Sequence, residues 1–334
     1  MIRSRLVRVV FALFALFAVA LFATACDDED DGDKPTIVFS DLNWTSAQVQ
    51  NRIAQFIVEH GYGYETDAIL GGTLPNFQGL LNGDIHVTME IWLPNQNEQW
   101  DPAVADGQVI SVGKSLGEDW QSAFVIPRYV ADEYPGLTSV EDLKNDEFSD
   151  LFATPDSGGK ARIVGCVVGW SCEVVNLAQY ESYGLLDHVE VISPGSQEAL
   201  FSDLQGRYDR QEPWLGYMWG TADPALVLDL VRLEEPPYTD ECWFTTKACA
   251  YKDATILIAV HPTMVSNAPD VVDFLRNWGF NIEVYRGVAQ YIAENPGIEA
   301  QDAAVWFLQN NESLWSTWVP ADVAEKVMEA LAEA

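Results

Sequence analysis

Short apolar stretches of strand character alternate with segments of helical periodicity along this chain, in two successive sets. A pattern of that kind commits a fold to α/β architecture, open sheets covered by helices. In the first set, residues 35–40, 64–70, 84–91 and 108–112 read as strands, and helices fall at 45–60, near 74–81 and at 96–105. The first helix places Val49, Ile53, Phe56 and Ile57 on one face and has Gly61 as its stop. The second set has strands at 121–126, 162–164, 189–192 and 214–218, with helices at 172–183 and 196–208. Residues 233–253, rich in Pro and Thr and holding two cysteines, are expected to form an irregular stapled loop. A last strand at 254–260 precedes helices to the C-terminus, the final one with Pro320 in its first turn. The 334 residues exceed the roughly 250 that a single core usually serves. Two lobes are therefore expected, the first from 35–122 with 254–334 and the second from 123–253.

The N-terminus reads as a targeting segment. Arg3, Arg5 and Arg8 precede an apolar run over residues 9–22, and Ala23-Thr24-Ala25 leads into Cys26. This looks like a bacterial lipoprotein signal over residues 1–26, with Cys26 as the lipidated first residue of the mature chain. The apolar run is short for a bilayer span of about 20 residues. The acidic segment that follows, within residues 27–34, is too charged to pack and suits a solvated tether to a membrane surface. A net charge of -33 argues against nucleic acid as a partner. Acidity of this degree suits a protein of high-salt surroundings or an ordinary acidic secreted one. Beyond Cys26 the cysteines are Cys166, Cys172, Cys242 and Cys249, an even number that favours disulfides outside the cytoplasm. Of the three possible pairings, the local one, Cys166 with Cys172 and Cys242 with Cys249, closes two short loops without assuming anything of the distant fold. Spacings of C-x5-C and C-x6-C do not suit zinc.

Open α/β sheets bind ligands beyond the carboxyl ends of their strands. Trp92, Trp170 and Trp219 each fall just past such an end, and Trp44 has the same placement after the first strand. Indole faces gathered from two lobes make a cage for a cation: a fully methylated ammonium has no N–H to donate, so only dispersion and the negative faces of aromatic rings can hold it. Trp278, Trp306, Trp315 and Trp318 lie instead in helical pattern and are expected to pack.

The segment GCVVGWSCE at residues 165–173 resembles the GCxxGWxCE motif of the substrate-binding proteins of glycine betaine/proline betaine ABC importers. EIWLP at 90–94 and PWLGYMW at 213–219 resemble that family's strand-end W-x-P and P-x5-W segments, in the same order. The resemblance covers most of the mature chain. It implies a two-lobed periplasmic-binding-protein fold (type II, a venus flytrap), two open sheets flanked by helices and joined by two hinge crossovers. It further implies that Trp92, Trp170 and Trp219 box a trimethylammonium group, and that the backbone amides of Ser171 and Cys172 receive the carboxylate. Those amides would open a helix, where unpaired N–H groups and a partial positive charge favour an anion. Some family members carry a histidine where this chain has Gln96, so Gln96 is a candidate carboxylate donor. The stretch around Trp44 resembles related choline binders, but Ser46 stands where their acidic residue for the choline hydroxyl lies. Trp44 is a candidate fourth wall.

The expected function is capture of glycine betaine or a similar quaternary ammonium osmolyte outside the cytoplasm, by a lipid-anchored protein that hands it to ABC permease subunits. Choline or carnitine binding, or service to a sensor, are the alternatives within the binding class. An exported enzyme is the alternative from another class. No G-x-S-x-G elbow supports it, and His60, His86, His188 and His261 have no metal-ligand spacing. No cofactor is expected. The acidic pairs Glu234-Glu235 and Asp240-Glu241 read as solvated faces.

Overall fold

The computed structural model describes residues 34–116 and 122–334. The expected signal, the expected lipidation site Cys26 and most of the acidic segment lie outside the described residues. Among those described, the strands are β1 (Ile37–Leu42), β2 (Thr66–Gly71), β3 (Val87–Leu93), β4 (Ile110–Lys114), β5 (Ala123–Pro127), β6 (Ala161–Val164), β7 (Val189–Ile192), β8 (Gly216–Met218), β9 (Leu230–Arg232) and β10 (Thr255–Val260). They form two five-stranded sheets, in the orders β2-β1-β3-β10-β4 and β7-β6-β8-β5-β9. Each is mixed. In the first sheet β1 runs parallel to β2 and β3 while β10 is antiparallel to β3 and β4. In the second, β6 is parallel to β7 and β8 while β5 is antiparallel to β8 and β9. The chain passes from the first sheet to the second between β4 and β5, and returns between β9 and β10.

Helices cover both sheets and bury separate cores. The helix Thr45–Ile57 lays Val49, Ile53 and Ile57 against Phe39 and Val87 of the first sheet, and Phe274, Phe307 and Trp315 from C-terminal helices join the same cluster. A second cluster gathers Phe124, Ile163, Tyr180, Leu204, Trp214 and Trp243 around the other sheet. Trp92 packs against both.

Several sequence expectations need correction. The first helix ends not at Gly61 but in a π-turn, Val58–Tyr62, closed by Gly63 at φ 73°. Gly61 instead makes room for another element. A Cβ there would lie 2.7 Å from Val323 Cγ1, so its lack of a side chain lets the C-terminal helix Ala321–Leu331 seat closely. Pro320 is the residue before that helix, in extended conformation, rather than inside its first turn. Residues 233–253 are not wholly irregular: Thr239 caps a short helix, Asp240–Thr245, by accepting from Cys242 N at 3.1 Å. That helix buries Trp243 against Tyr238 and Tyr251. Glu235 is not on a solvated face either. It accepts from Tyr183 Oη at 2.9 Å, and burial pushes its carboxyl up to about 7. The strand β9 had no counterpart in the sequence pattern, since three residues give no periodicity to read.

The cysteines pair locally, Cys166 with Cys172 and Cys242 with Cys249.

Candidate ligand-binding site

β3 runs through Trp92 to Leu93, so this ring stands on the last turn of the pleat rather than beyond it, paired with Ile256 of β10. Trp219 directly follows β8. Trp170 is the extended residue before the helix Ser171–Ser182. The loop from β6 to that helix is fixed at several points. Gly169 adopts φ 85°, a conformation that favours glycine. Its N–H donates to Glu173 Oε2 at 2.8 Å, and Cys166 N donates to the buried Asn176 Oδ1 at 3.0 Å. The Cys166–Cys172 bridge ties the loop to the first turn of the helix. A short loop closed by a disulfide leaves little freedom for Trp170 or for the first-turn amides, which have no helical carbonyl to receive them.

These elements enclose one hollow. Trp44, Trp92, Trp170, Trp219, Ser171 and Cys172 all line it, with Thr73, Asn95 and Tyr217, around about 340 Å³ of empty space that is partly open to solvent. The rings meet as adjacent panels of a box: Trp44 and Trp170 have centroids 5.0 Å apart at an interplanar angle of 67°, and Trp170 and Trp219 are 5.2 Å apart at 76°. Trp278, Trp315 and Trp318 are buried in the first core, and Trp306 stacks on Tyr291 at 4.1 Å.

Gln96 does not join the lining. It is 2 % exposed, and its Oε1 accepts from Trp92 N at 2.7 Å, closing the turn after β3. Ser46 is likewise buried away from the hollow, at 3 % exposure. The sequence reading missed Thr73, Asn95 and Tyr217. Tyr217 stands inside the PWLGYMW segment, and Thr73 opens the helix Thr73–Asn82 after Gly71-Gly72, so a helix-start signal was present for it. It also missed Glu90, whose carboxylate holds two of the rings. Trp44 Nε1 and Trp92 Nε1 donate to Glu90 Oε2 at 2.8 and 2.9 Å, and Gln50 Nε2 donates to Oε1 at 2.8 Å.

The lobes touch across the hollow. Trp170 Nε1 donates to Asn43 Oδ1 at 2.6 Å, and Thr45 N donates to Gln197 Oε1 at 3.1 Å. Tyr285 Oη donates to Asp223 Oδ1 at 2.5 Å. Burial pushes the Asp223 carboxyl up to about 6, against the pull of its bonds from Tyr285 and Thr45. A carboxyl whose value is raised by folding contributes stability that is fully present below its ordinary value of 3.8 and is lost as pH rises through about 6. The midpoint of thermal unfolding is therefore expected to carry a component that falls as pH rises from about 4 to above about 6, and Asp223→Asn should flatten that window.

Two open sheets in this strand order, with a small-molecule hollow where their strand ends meet, define a two-lobed solute-binding protein of the periplasmic type. The chain belongs to the family described as the substrate binding domain of ABC-type glycine betaine transport systems, which matches residues 35–310. It is 28% identical over 167 residues to the glycine betaine/proline betaine-binding periplasmic protein of Salmonella typhimurium, covering 50% of this chain and 47% of that protein. The chain thus spans about half the length of that relative. With the trimethylamine N-oxide-binding protein of Pelagibacter ubique it shares 23% identity over 291 residues, 86% of this chain and 91% of that one. Among solved structures, an ABC-transporter choline binding protein in complex with choline superposes at a TM-score of 0.72 with 21% identity, over 89% of this chain and 98% of that one. At that identity the likeness speaks for the fold.

Proposed function

We propose that this chain captures glycine betaine, or a closely related methylated ammonium solute, outside the cytoplasm and presents it to the permease of an ABC importer, held to the membrane by lipid on Cys26. The observation that carries this reading is the composition of the hollow: indole rings from both sheets surround it, and the first-turn residues Ser171 and Cys172 share its wall. Trp92, Trp170 and Trp219 are assigned to the trimethylammonium group, with Trp44 as a fourth panel, and the amides of Ser171 and Cys172 to the carboxylate.

Magnitudes favour a ligand with both groups. Three cation–π contacts at about 1–2 kcal/mol each give about 3–6 kcal/mol, whereas micromolar affinity needs about 8 kcal/mol after ordering costs. Two charge-assisted hydrogen bonds to a carboxylate, at about 1.5–3 kcal/mol each, close that gap. Closure on the ligand follows from the placement of the rings on opposite lobes, with the lobes divided at 35–122 with 254–334 and 123–253.

Calorimetric titration with glycine betaine, proline betaine, choline and trimethylamine N-oxide tests the reading. Glycine betaine is expected to bind at micromolar concentration or below and more tightly than choline, which lacks the carboxylate. Tighter binding of choline or of the N-oxide would move the assignment within the class. No binding of any of the four would overturn it.

A further inference from the structure

Glu90 lies in the middle of β3 and is 1 % exposed. A carboxylate so buried is costly unless it is paired with a cation or fully hydrogen-bonded. Trp44 Nε1, Trp92 Nε1 and Gln50 Nε2 donate to it, and the Ser46 hydroxyl also bonds to it, all of them neutral groups. Two of these donors are rings that line the hollow, and Thr73 lines both the hollow and the smaller cavity that Glu90 faces. Gln50 is itself held, its Oε1 accepting from Ser115 Oγ at 2.6 Å and from Trp278 Nε1 at 3.1 Å. Among the described residues the network therefore supplies donors to the carboxylate and no counter-charge.

We propose that Glu90 is a specificity-determining positioning residue, which makes the cage select a cation over a neutral group of the same shape. This rests on the quaternary ammonium reading above. An indole that donates its N–H to an anion gains electron density on its face, and that face is what a cation meets. The carboxylate also adds a direct field across the ring, in a site where burial weakens screening. The ligand's ammonium then supplies the counter-charge that the described residues withhold. From the other lobe, the first turn of Ser171–Ser182 presents the positive end of a helix to the same hollow. The two walls oppose in sign, and a zwitterion is oriented between them with its ammonium toward β3. Burial raises the Glu90 carboxyl, and the bonds from Trp44, Ser46, Trp92 and Gln50 offset this only in part, so the ammonium of a bound ligand is what favours the ionised form.

The test compares glycine betaine with 3,3-dimethylbutanoate, in which carbon replaces the quaternary nitrogen and the shape is kept. Calorimetric titrations would be run on the wild type, on Glu90→Gln and on the exchanged pair Glu90→Gln/Gln50→Glu. In Glu90→Gln the ratio of the two affinities is expected to fall on the order of tenfold or more. The exchanged pair keeps a buried carboxylate next to an amide, with Ser115 and Trp278 as donors, but removes the charge from the rings. The ratio is expected to fall there as well, and this variant gives the readout if Glu90→Gln does not fold. An unchanged ratio in either folded variant overturns the inference, and so does a wild type that binds the two ligands equally. A wild type that binds no quaternary ammonium at all defeats the osmolyte reading instead, so the two failures are told apart.

Discussion

Trp170→Ala is expected to lower the affinity for glycine betaine roughly 100- to 1,000-fold. The ring touches Trp44 and Trp219, both about 5 Å away between centroids, so it is the shared panel of the box. Its removal takes away a cation–π face, opens the hollow to water and deletes the bond to Asn43 across the cleft. Buried tryptophans of this kind carry about 3–4 kcal/mol of a binding energy, and each 1.4 kcal/mol is tenfold. Trp170→Phe separates the parts: it keeps a face but no N–H donor, and its affinity should fall between the two. Calorimetry with thermal unfolding of each ligand-free variant checks the claim. An Ala variant that folds and binds within threefold of wild type would remove Trp170 from the site.

Gly72→Ala is expected to weaken binding roughly 5- to 150-fold while leaving each lobe folded. Gly72 precedes the helix Thr73–Asn82 with φ -80° and ψ 177°, a conformation any residue adopts. A methyl group there strains nothing in its own lobe. What it meets is the carbonyl oxygen of Gly169, in the opposite lobe, at 2.8 Å. That is a backbone atom on a loop tied by a disulfide, so it cannot step aside cheaply. Overpacking of this kind costs about 1–3 kcal/mol, and it falls on the closed form alone. Small-angle scattering with saturating ligand should show a more open particle than wild type. Equal compaction with equal affinity would mean that the lobes do not need this approach.

Much of this was legible in the chain. Alternating periodicity located every described strand except β9 within a few residues, because each of those is an apolar run bounded by turn residues. The tryptophans were legible because the ends of parallel strands are where such sheets bind, and because GCVVGWSCE fixes the position of Trp170 relative to a helix start. The ring supports were not legible. Glu90 belongs to a strand buried on both faces, where period-2 reasoning cannot say which way a carboxylate points. Nor could spacing reveal that Glu90 and Gln50, 40 residues apart, meet at 2.8 Å. Glu235 was misread for the same reason: its partner Tyr183 is 52 residues away, and a local charge pair looks like a surface until the tertiary partner is known. Gly61 looked like a helix stop, but the neighbour that explains it lies on the last helix of the chain.

The bond between Trp170 and Asn43 makes one side chain answer to two demands. Its indole lines the hollow, where the proposed ligand's methyl groups would press on it, and it also reaches a partner on the far half of the molecule. A bulkier head group that pushes the ring outward can be housed only by giving up that bond or by leaving the jaws ajar. Under the proposed reading, the girth of the guest would thereby be converted into an angle between the jaws, and a downstream receptor would meet a posture already graded by molecular size.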